Sequence, residues 1–486
     1  VKRRGSPLLG WLTLSGADAV GRVLLQLTST VLFARMLGPE TFGLSALTIV
    51  YVGTITTLVS GLFEEALVQR LRVRKAHFAA ALATVLALAA GLYALVLLLA
   101  ATIPDSAVPA RQALALASGF GLILFAEGPL SVYTAMARRL RRFPDIAIGN
   151  LLGLAVGTAV GLTLAWTGAG VVALLAVPFT ARFVNLIVVA RRAPVRILPR
   201  WNLAPARQLL EFGRWSLGTR YVAGVGEAIF QSLVTRFFGV EGNGFLNMAM
   251  RIVEPVRAVT GPIGHNIAMA YFARLQGDAT RLSGAVERTI DETSLILQPI
   301  FVGLAATAPL ILLVIAGPAW TASAPIAVCL ALAAAIVSAT AFMHNGVLAT
   351  GRAQVGFGFS IFDVVVTAIA VALLAPLGLI AAGLARLASW ALDGVAILYV
   401  ARRLYGLSPG AVLQAVSSTA ICTLLMFGVV VWSIDRMASW PALPRLAGAV
   451  VIGIGVYAAC VLCLRRHAVM TLIGRLWKPS RVPAAE

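Results

Sequence analysis

Apolar runs of membrane length recur from one end of the chain to the other and leave few folds open to it. They fall at about 11–36, 42–66, 78–103, 112–137, 145–166, 170–191, 214–238, 244–268, 287–316, 323–350, 355–375, 378–401, 411–434 and 445–465. Runs of roughly 20 apolar residues match the thickness of a bilayer's hydrocarbon core, and a segment there has to pair its backbone N–H and C=O groups within itself, so each run reads as a helix. The expected fold is an all-α polytopic membrane protein with about 14 transmembrane helices. The composition agrees: 60% of the 486 residues are hydrophobic, 12% are charged, and the mean hydropathy is +0.92.

The basic residues give an independent check. Alternate connections collect Lys2, Arg3 and Arg4, then Arg70, Arg72, Arg74 and Lys75, then Arg138, Arg139, Arg141 and Arg142, then Arg191, Arg192, Arg196, Arg200, Arg207 and Arg214, then Arg274, Arg281 and Arg288, Arg352, Arg402 and Arg403, and Arg465, Arg466, Arg475, Lys478 and Arg481. The intervening connections hold only Arg35, Arg111, Arg236, Arg436 and Arg445. This asymmetry places both termini in the cytoplasm by the positive-inside rule. It also accounts for the net charge of +20 without nucleic acid, since no soluble domain exists to hold a polynucleotide. The apolar stretch after Lys2 is longer than a signal-peptide core and reads as a retained first span. The four cysteines lie inside apolar runs, and the Cys460-x-x-Cys463 spacing has no further ligand types nearby, so they read as packing residues.

The chain repeats itself. Ala34 to Gly43, ARMLGPETFG, returns as Thr235 to Gly244, TRFFGVEGNG, matching Arg35 with Arg236, Gly38 with Gly239, Glu40 with Glu241 and Gly43 with Gly244. Each copy sits between two apolar runs and reads as a glycine-built turn. Arg142-Phe143-Pro144 pairs in the same way with Arg352-Ala353-Gln354, and Ala190-Arg191-Arg192 with Ala401-Arg402-Arg403. Each unit therefore holds six spans, and an even number returns the chain to its starting side. The two lobes should be related by a pseudo-two-fold axis along the membrane normal. The expected organisation is an N-lobe over 1–195, an amphipathic interfacial connector over 196–213 anchored by Trp201, a C-lobe over 214–403, and two further helices with a cytoplasmic tail over 404–486.

Several chemistries are excluded. No G-x-x-x-x-G-K-[ST] phosphate loop occurs, no His, Cys and carboxylate cluster has metal spacing, and only His77, His265, His344 and His467 could serve a triad. No cofactor or metal is expected. Charged residues inside spans are costly and usually face a cavity or one another. Asp18 and Arg22 share one face of the first span, and Arg251, Glu254 and Arg257 share one face of the eighth. In one reading Arg22, Arg251 and Arg257, joined by Arg220, hold an anionic headgroup, because the planar guanidinium donates paired hydrogen bonds to phosphate. In the other these residues are structural pairs, Asp18 with Arg22 and Glu254 with its two arginine neighbours. Asp18, Glu127, Glu254 and Asp363 are candidates for ion or proton coupling, with helix-locking hydrogen bonds as the competing role. Arg182, near a span end, reads as a residue reaching for the interface. Tyr51, Tyr133, Trp215, Tyr221, Asn247 and Asn266 are available for sugar contacts and equally for packing.

Together with the repeat and the fourteen runs, FARMLGPETFGLSAL at Phe33 to Leu47 resembles the LGPxxFG turn of the polysaccharide-transporter branch of the multidrug/oligosaccharidyl-lipid/polysaccharide (MOP) exporter superfamily, the O-antigen flippases and their relatives. ARRLRRF at Ala137 to Phe143 and GRAQ at Gly351 to Gln354 fit the same pattern. The resemblance implies a V-shaped transporter with a cationic cavity. It would carry an undecaprenyl-pyrophosphate-linked oligosaccharide from the inner to the outer leaflet of a bacterial inner membrane, with the lipid-linked glycan and membrane lipids as partners and a polysaccharide polymerase downstream. Three alternatives stand beside it: a lipid II flippase, a multidrug/cation antiporter of the same superfamily, which should carry an acidic cavity, and a membrane enzyme. The last is disfavoured because no outer connection is longer than about a dozen residues.

Overall fold

The computed structural model describes residues 7–70, 73–102 and 108–466, and within its helices all side chains except those of residues 7–20, 65, 69, 108, 110, 203–216, 259–267, 269, 270 and 353. Among these residues the secondary structure is helical throughout. The elements are α1 (Pro7–Met36), α2 (Pro39–Gly61), α3 (Glu64–Gln69), α4 (Lys75–Thr102), α5 (Val108–Phe120), α6 (Leu124–Arg139), α7 (Phe143–Trp166) and α8 (Val171–Arg192). There follow α9 (Leu203–Ala273), α10 (Ala279–Ile315), α11 (Ser323–Ala349), α12 (Ala353–Leu374), α13 (Ile380–Tyr405), α14 (Pro409–Arg436) and α15 (Ala442–Leu464).

The all-α polytopic fold read from the apolar runs is the one observed. Among the described residues, eleven helical stretches are long and apolar enough to cross a membrane by length and composition. The expected spans outside those eleven are the first, which falls on α1, and the seventh and eighth, which fall on the two arms of α9. Those arms interrupt their apolar residues with Arg220 and Glu227 on one and Arg251, Glu254 and Arg257 on the other. The fourth span is jointed rather than straight. A single 3₁₀ turn at Gly121–Ile123 separates α5 from α6, and Gly121 admits the Tyr93 ring, since a Cβ there would lie 2.9 Å from Tyr93 Cδ2.

The two copies of the repeated turn fold differently. Between α1 and α2, Gly38 is extended (φ −80°, ψ 170°), and Pro39, whose missing N–H costs a helix start nothing, opens α2. In the second copy Val240 stands in place of the proline. The helix runs on through α9 with one break, at Gly239 (φ 75°, ψ 177°), a conformation that only glycine adopts readily. The connector at 196–213 is non-helical up to Asn202, and its remainder opens α9.

By internal contacts the chain forms two units. One comprises Val1–Arg251, Ile315–Trp320 and Phe357–Ala382; the other comprises Ile252–Val314, Thr321–Gly356 and Gly383–Glu486. The first has a core of Val59, Phe63, Leu67, Val85, Leu124 and Met136, drawn from α2, α3, α4, α6 and the turn between α2 and α3. In the second, Val302 and Ala306 of α10 pack on Met426 and Val430 of α14 and Ala449 of α15. There Arg465 pairs with Asp291 and also donates to Thr419 Oγ1 at 3.0 Å, which fastens the end of α15 to α10 and α14.

Candidate functional site

The site in the first unit begins with backbone spacing. Gly149, Gly153, Gly157 and Gly161 lie every fourth residue along α7 and form one stripe. A Cβ on Gly153 would sit 2.5 Å from the Ala181 carbonyl oxygen, one on Gly157 2.4 Å from that of Val177, and one on Gly161 2.8 Å from that of Ala173. The backbones of α7 and α8 therefore touch, the arrangement by which helices associate in lipid, where the hydrophobic effect offers little between them. This stripe was legible as a run of G-x-x-x-G spacings in the sequence and was missed there. It fixes Asn150 and Leu154 of α7 against α8, where Asn185 Nδ2 donates to Asn150 Oδ1 at 2.8 Å.

On that platform the unit holds a cavity of about 410 Å³. Arg22, Gln26, Ser29 and Phe33 of α1 enter its wall at intervals of three and four residues, so one face of α1 supplies them all. Ile49 of α2, Asn150 and Leu154 of α7, Pro178, Arg182 and Asn185 of α8, and Arg251 of α9 complete most of the remaining wall. Pro178 has no N–H to offer the Leu174 carbonyl, and both residues line the cavity. Three guanidinium groups and no carboxylate are among the lining residues.

The repeated turn places one of these arginines. Phe42, fully buried at the start of α2, meets Trp320 edge-on at 4.9 Å between ring centroids, and Trp320 Nε1 donates to the Ala34 carbonyl at 3.1 Å. The Arg251 guanidinium stacks over the other partner of this arrangement, 5.1 Å from the Phe42 ring centroid, while its Nε donates to Asn247 Oδ1 at 3.0 Å. Of the two readings of Arg251, the structural one paired it with Glu254; the structure gives it an aromatic face and an amide instead.

Arg182 belongs to the site as well, although its span-end position suggested an interfacial role. Its Nε lies 3.1 Å from Glu127 Oε2, and Arg182 is shared between the large cavity and a neighbouring one of about 150 Å³ that Glu127, Thr48, Thr56 and Phe179 also line. The pairing joins α6 to α8 and could not be read from a separation of 55 positions. Glu127 opposes the charge of one arginine from behind the wall, so the large cavity retains a positive balance.

The remaining expected residues fall elsewhere. Arg220 is exposed on the first arm of α9 and does not line this cavity. Arg257 lies in the second unit, where Glu254 Oε1 accepts from its Nη1 at 2.5 Å and its guanidinium stacks 4.7 Å from the Trp390 centroid. Asp363 of α12 accepts from Thr367 Oγ1 at 3.5 Å. The side chain of Asp18 lies outside the described residues, as do those of Trp215 and Asn266. Of the aromatic and amide residues considered for sugar contacts, Asn247 holds Arg251, and Tyr51 hydrogen-bonds Ser232 Oγ at 2.8 Å. Among the described residues no cluster of three or more His, Cys, Asp or Glu side chains could hold a metal.

A family model described as "Polysaccharide biosynthesis protein" matches residues 32–325. The chain belongs to this family. The polysaccharide biosynthesis match takes in both copies of the repeated turn, and the resemblance to the polysaccharide-transporter branch of the MOP superfamily holds. The chain is 27% identical over 371 residues to the succinoglycan biosynthesis transport protein ExoT of Rhizobium meliloti (strain 1021), covering 75% of this chain and 73% of that protein. It is 26% identical over 159 residues to the teichuronic acid biosynthesis protein TuaB of Bacillus subtilis (strain 168), 32% of each chain. In fold it is similar to a lipid II flippase MurJ in an inward closed conformation, with a TM-score of 0.75 at 12% identity over 95% of this chain and all of that one. An inward-facing multidrug resistance transporter of the MATE family gives a TM-score of 0.54 at 15% identity, over 78% of this chain and 94% of the other. The chain is a multi-pass membrane protein with the fold these transporters share.

Proposed function

We propose that this protein is a flippase that translocates an undecaprenyl-pyrophosphate-linked oligosaccharide, an O-antigen or exopolysaccharide repeat unit, from the inner to the outer leaflet of the bacterial inner membrane. The observation that carries the reading is the cavity walled by Arg22, Arg182 and Arg251 with no carboxylate among its lining residues. A guanidinium fork matches phosphate geometry and gains strength where water is scarce. The volume lies within the range of small-ligand pockets, roughly 300–1,000 Å³, and suits the charged headgroup rather than the whole glycan. The family, and a relative named for succinoglycan transport, support the same substrate class.

With both termini cytoplasmic, the reading from the basic residues, export moves the pyrophosphate out of a negative interior. Each negative charge then gains about 2.3 kcal/mol per 100 mV, so the membrane potential favours the outward direction. Release in the outer leaflet would present the repeat unit to a polymerase. A lipid II flippase would use the same headgroup chemistry; a multidrug antiporter would need acidic walls for cationic drugs, and this cavity is basic.

The experiment is translocation of a short lipid-pyrophosphate oligosaccharide in reconstituted vesicles by wild type, Arg22→Ala and Arg251→Ala, with folding checked for each. Loss in the folded variants is expected. Wild-type inactivity towards every lipid-linked glycan, together with efflux of a cationic dye, would move the assignment to a drug antiporter.

A further inference from the structure

The stretch that joins α8 to α9 is a strap laid across one end of the first unit. α8 stops at Arg192 because Pro194 forces the residue before it out of the helical region, and Ala193 is extended (φ −65°, ψ 134°). From there to Asn202 the chain is non-helical. Its backbone is nonetheless held: Ile197, 5% exposed, plugs the core that contains Phe63, Leu67, Phe78 and Met136, and the Arg200 N–H donates to the Ala79 carbonyl at 3.2 Å. Ala79 lies one turn beyond Lys75, where α4 begins. The 28 residues of α4 make about 42 Å of helix, enough to cross the hydrocarbon core and both headgroup layers. A strap level with its first turn therefore runs at headgroup depth.

What the strap shows outward is of two kinds. Leu198 and Trp201 are each 70% exposed, more apolar surface than a solvated connection has reason to offer. Beside them Arg191, Arg196 and Arg200 are exposed, and from Arg191 to Asn202 the chain has four arginines and no acid. Two acids of the first unit's other elements are already taken, Asp145 by Arg142 at 2.6 Å and by Arg192 at 3.4 Å, and Glu64 by Arg138 at 2.8 Å. None of the strap residues lines the arginine-walled cavity.

We propose that this strap is a binding site for anionic phospholipid of the cytoplasmic leaflet. Trp201 and Leu198 sit at the boundary between headgroups and acyl chains, and Arg196 and Arg200 take lipid phosphates, each guanidinium donating paired hydrogen bonds to the phosphate oxygens. A zwitterionic headgroup brings its own ammonium to the same place and gains little. A basic surface alone would hold phosphate with or without acyl chains; the apolar side chains set among the arginines are what select a lipid. The site stands whatever the protein transports.

The test uses the full-length protein, delipidated in detergent, with inorganic pyrophosphate present to fill the arginine cavity. Tritiated short-chain phosphatidylglycerol, phosphatidylcholine with the same chains, and glycerol phosphate are the probes, read by scintillation proximity. Phosphatidylglycerol should bind more tightly than either of the others, and its binding should weaken as salt is raised. Arg196→Gln and Arg200→Gln should each weaken it about fivefold, the worth of one arginine at an anionic surface, and Trp201→Ala should weaken it as well. Arg236→Gln, the same loss of charge in an intervening connection, should not. Thermal unfolding checks that each variant is folded. Equal binding of phosphatidylcholine would leave only non-selective lipid contact, and glycerol phosphate binding as tightly as phosphatidylglycerol would make the strap a free-phosphate site. Displacement of the lipid by an equal charge concentration of polyglutamate would assign it to an acidic protein partner. Each of these overturns the proposal, as does wild-type binding by both arginine variants; the headgroup and salt comparisons need no variant.

Discussion

Gly43 and Gly244 touch along their backbones, and they are equivalent positions of the repeat. A Cβ on Gly43 would fall 1.8 Å from the Val240 carbonyl oxygen, and a Cβ on Gly244 would fall 1.9 Å from that of Pro39. Pro39 and Val240 are themselves equivalent, so the contact is a small two-fold one, reinforced by Asn243 Nδ2 donating to the Gly43 carbonyl at 2.9 Å.

Because the obstruction on each side is backbone, alanine cannot be accommodated by turning a side chain. Gly43→Ala and Gly244→Ala should each destabilise the protein by about 1–3 kcal/mol or more. Gly91→Ala, in α4 with open space around it, should be neutral to slightly stabilising. Thermal unfolding in detergent compares the three directly.

Arg251 is expected to hold the anion through its guanidinium plane as well as its charge. Arg251→Ala should weaken inorganic pyrophosphate binding at least tenfold, about 1.4 kcal/mol. Arg251→Lys should restore only part of the loss, because the ammonium keeps the charge without the fork. Arg257→Ala should do less, since that guanidinium is occupied by Glu254 and Trp390. Titration calorimetry on the purified variants distinguishes these outcomes.

Glu127 and Arg182 should be energetically coupled. Glu127→Gln releases Arg182 from its counter-charge and should tighten pyrophosphate binding, whereas Arg182→Ala should weaken it. In the Arg182→Ala background the Glu127→Gln effect should largely vanish, which gives an interaction term of about 0.5–3 kcal/mol in a double-mutant cycle. Additive effects would mean that the ion pair only joins α6 to α8.

The glycine stripe of α7 is expected to set the cavity's shape. Gly157→Leu would drive a side chain into the Val177 carbonyl and push α7 from α8. Stability and pyrophosphate binding should fall together, because Asn150 and Leu154 ride on one helix and Arg182 and Asn185 on the other. A variant that loses stability but binds normally would separate the stripe from the site.

Much of this was legible in the chain itself. Arg22 and Arg251 stood out because a charge inside an apolar run is rare and costly, and the structure puts both on one cavity wall. Arg182 was passed over because a long side chain near a span end has a cheaper explanation at the interface. Glu127 drew notice as a lone acid, and only the packing of α6 on α8 gave it a partner.

What the sequence by itself determined is the all-helical, membrane-length character of the chain, the repeated glycine-containing stretch, and the basic bias of the connections. Hydropathy, periodicity and charge are local properties that a bilayer sorts directly. Tertiary structure decided which charges share a cavity, which are neutralised, and how closely the backbones approach. Those depend on the rotation and spacing of each helix against its neighbours, and contacts set across the packed helices, such as Phe42 beneath Arg251 or Gly157 against Val177, fix both.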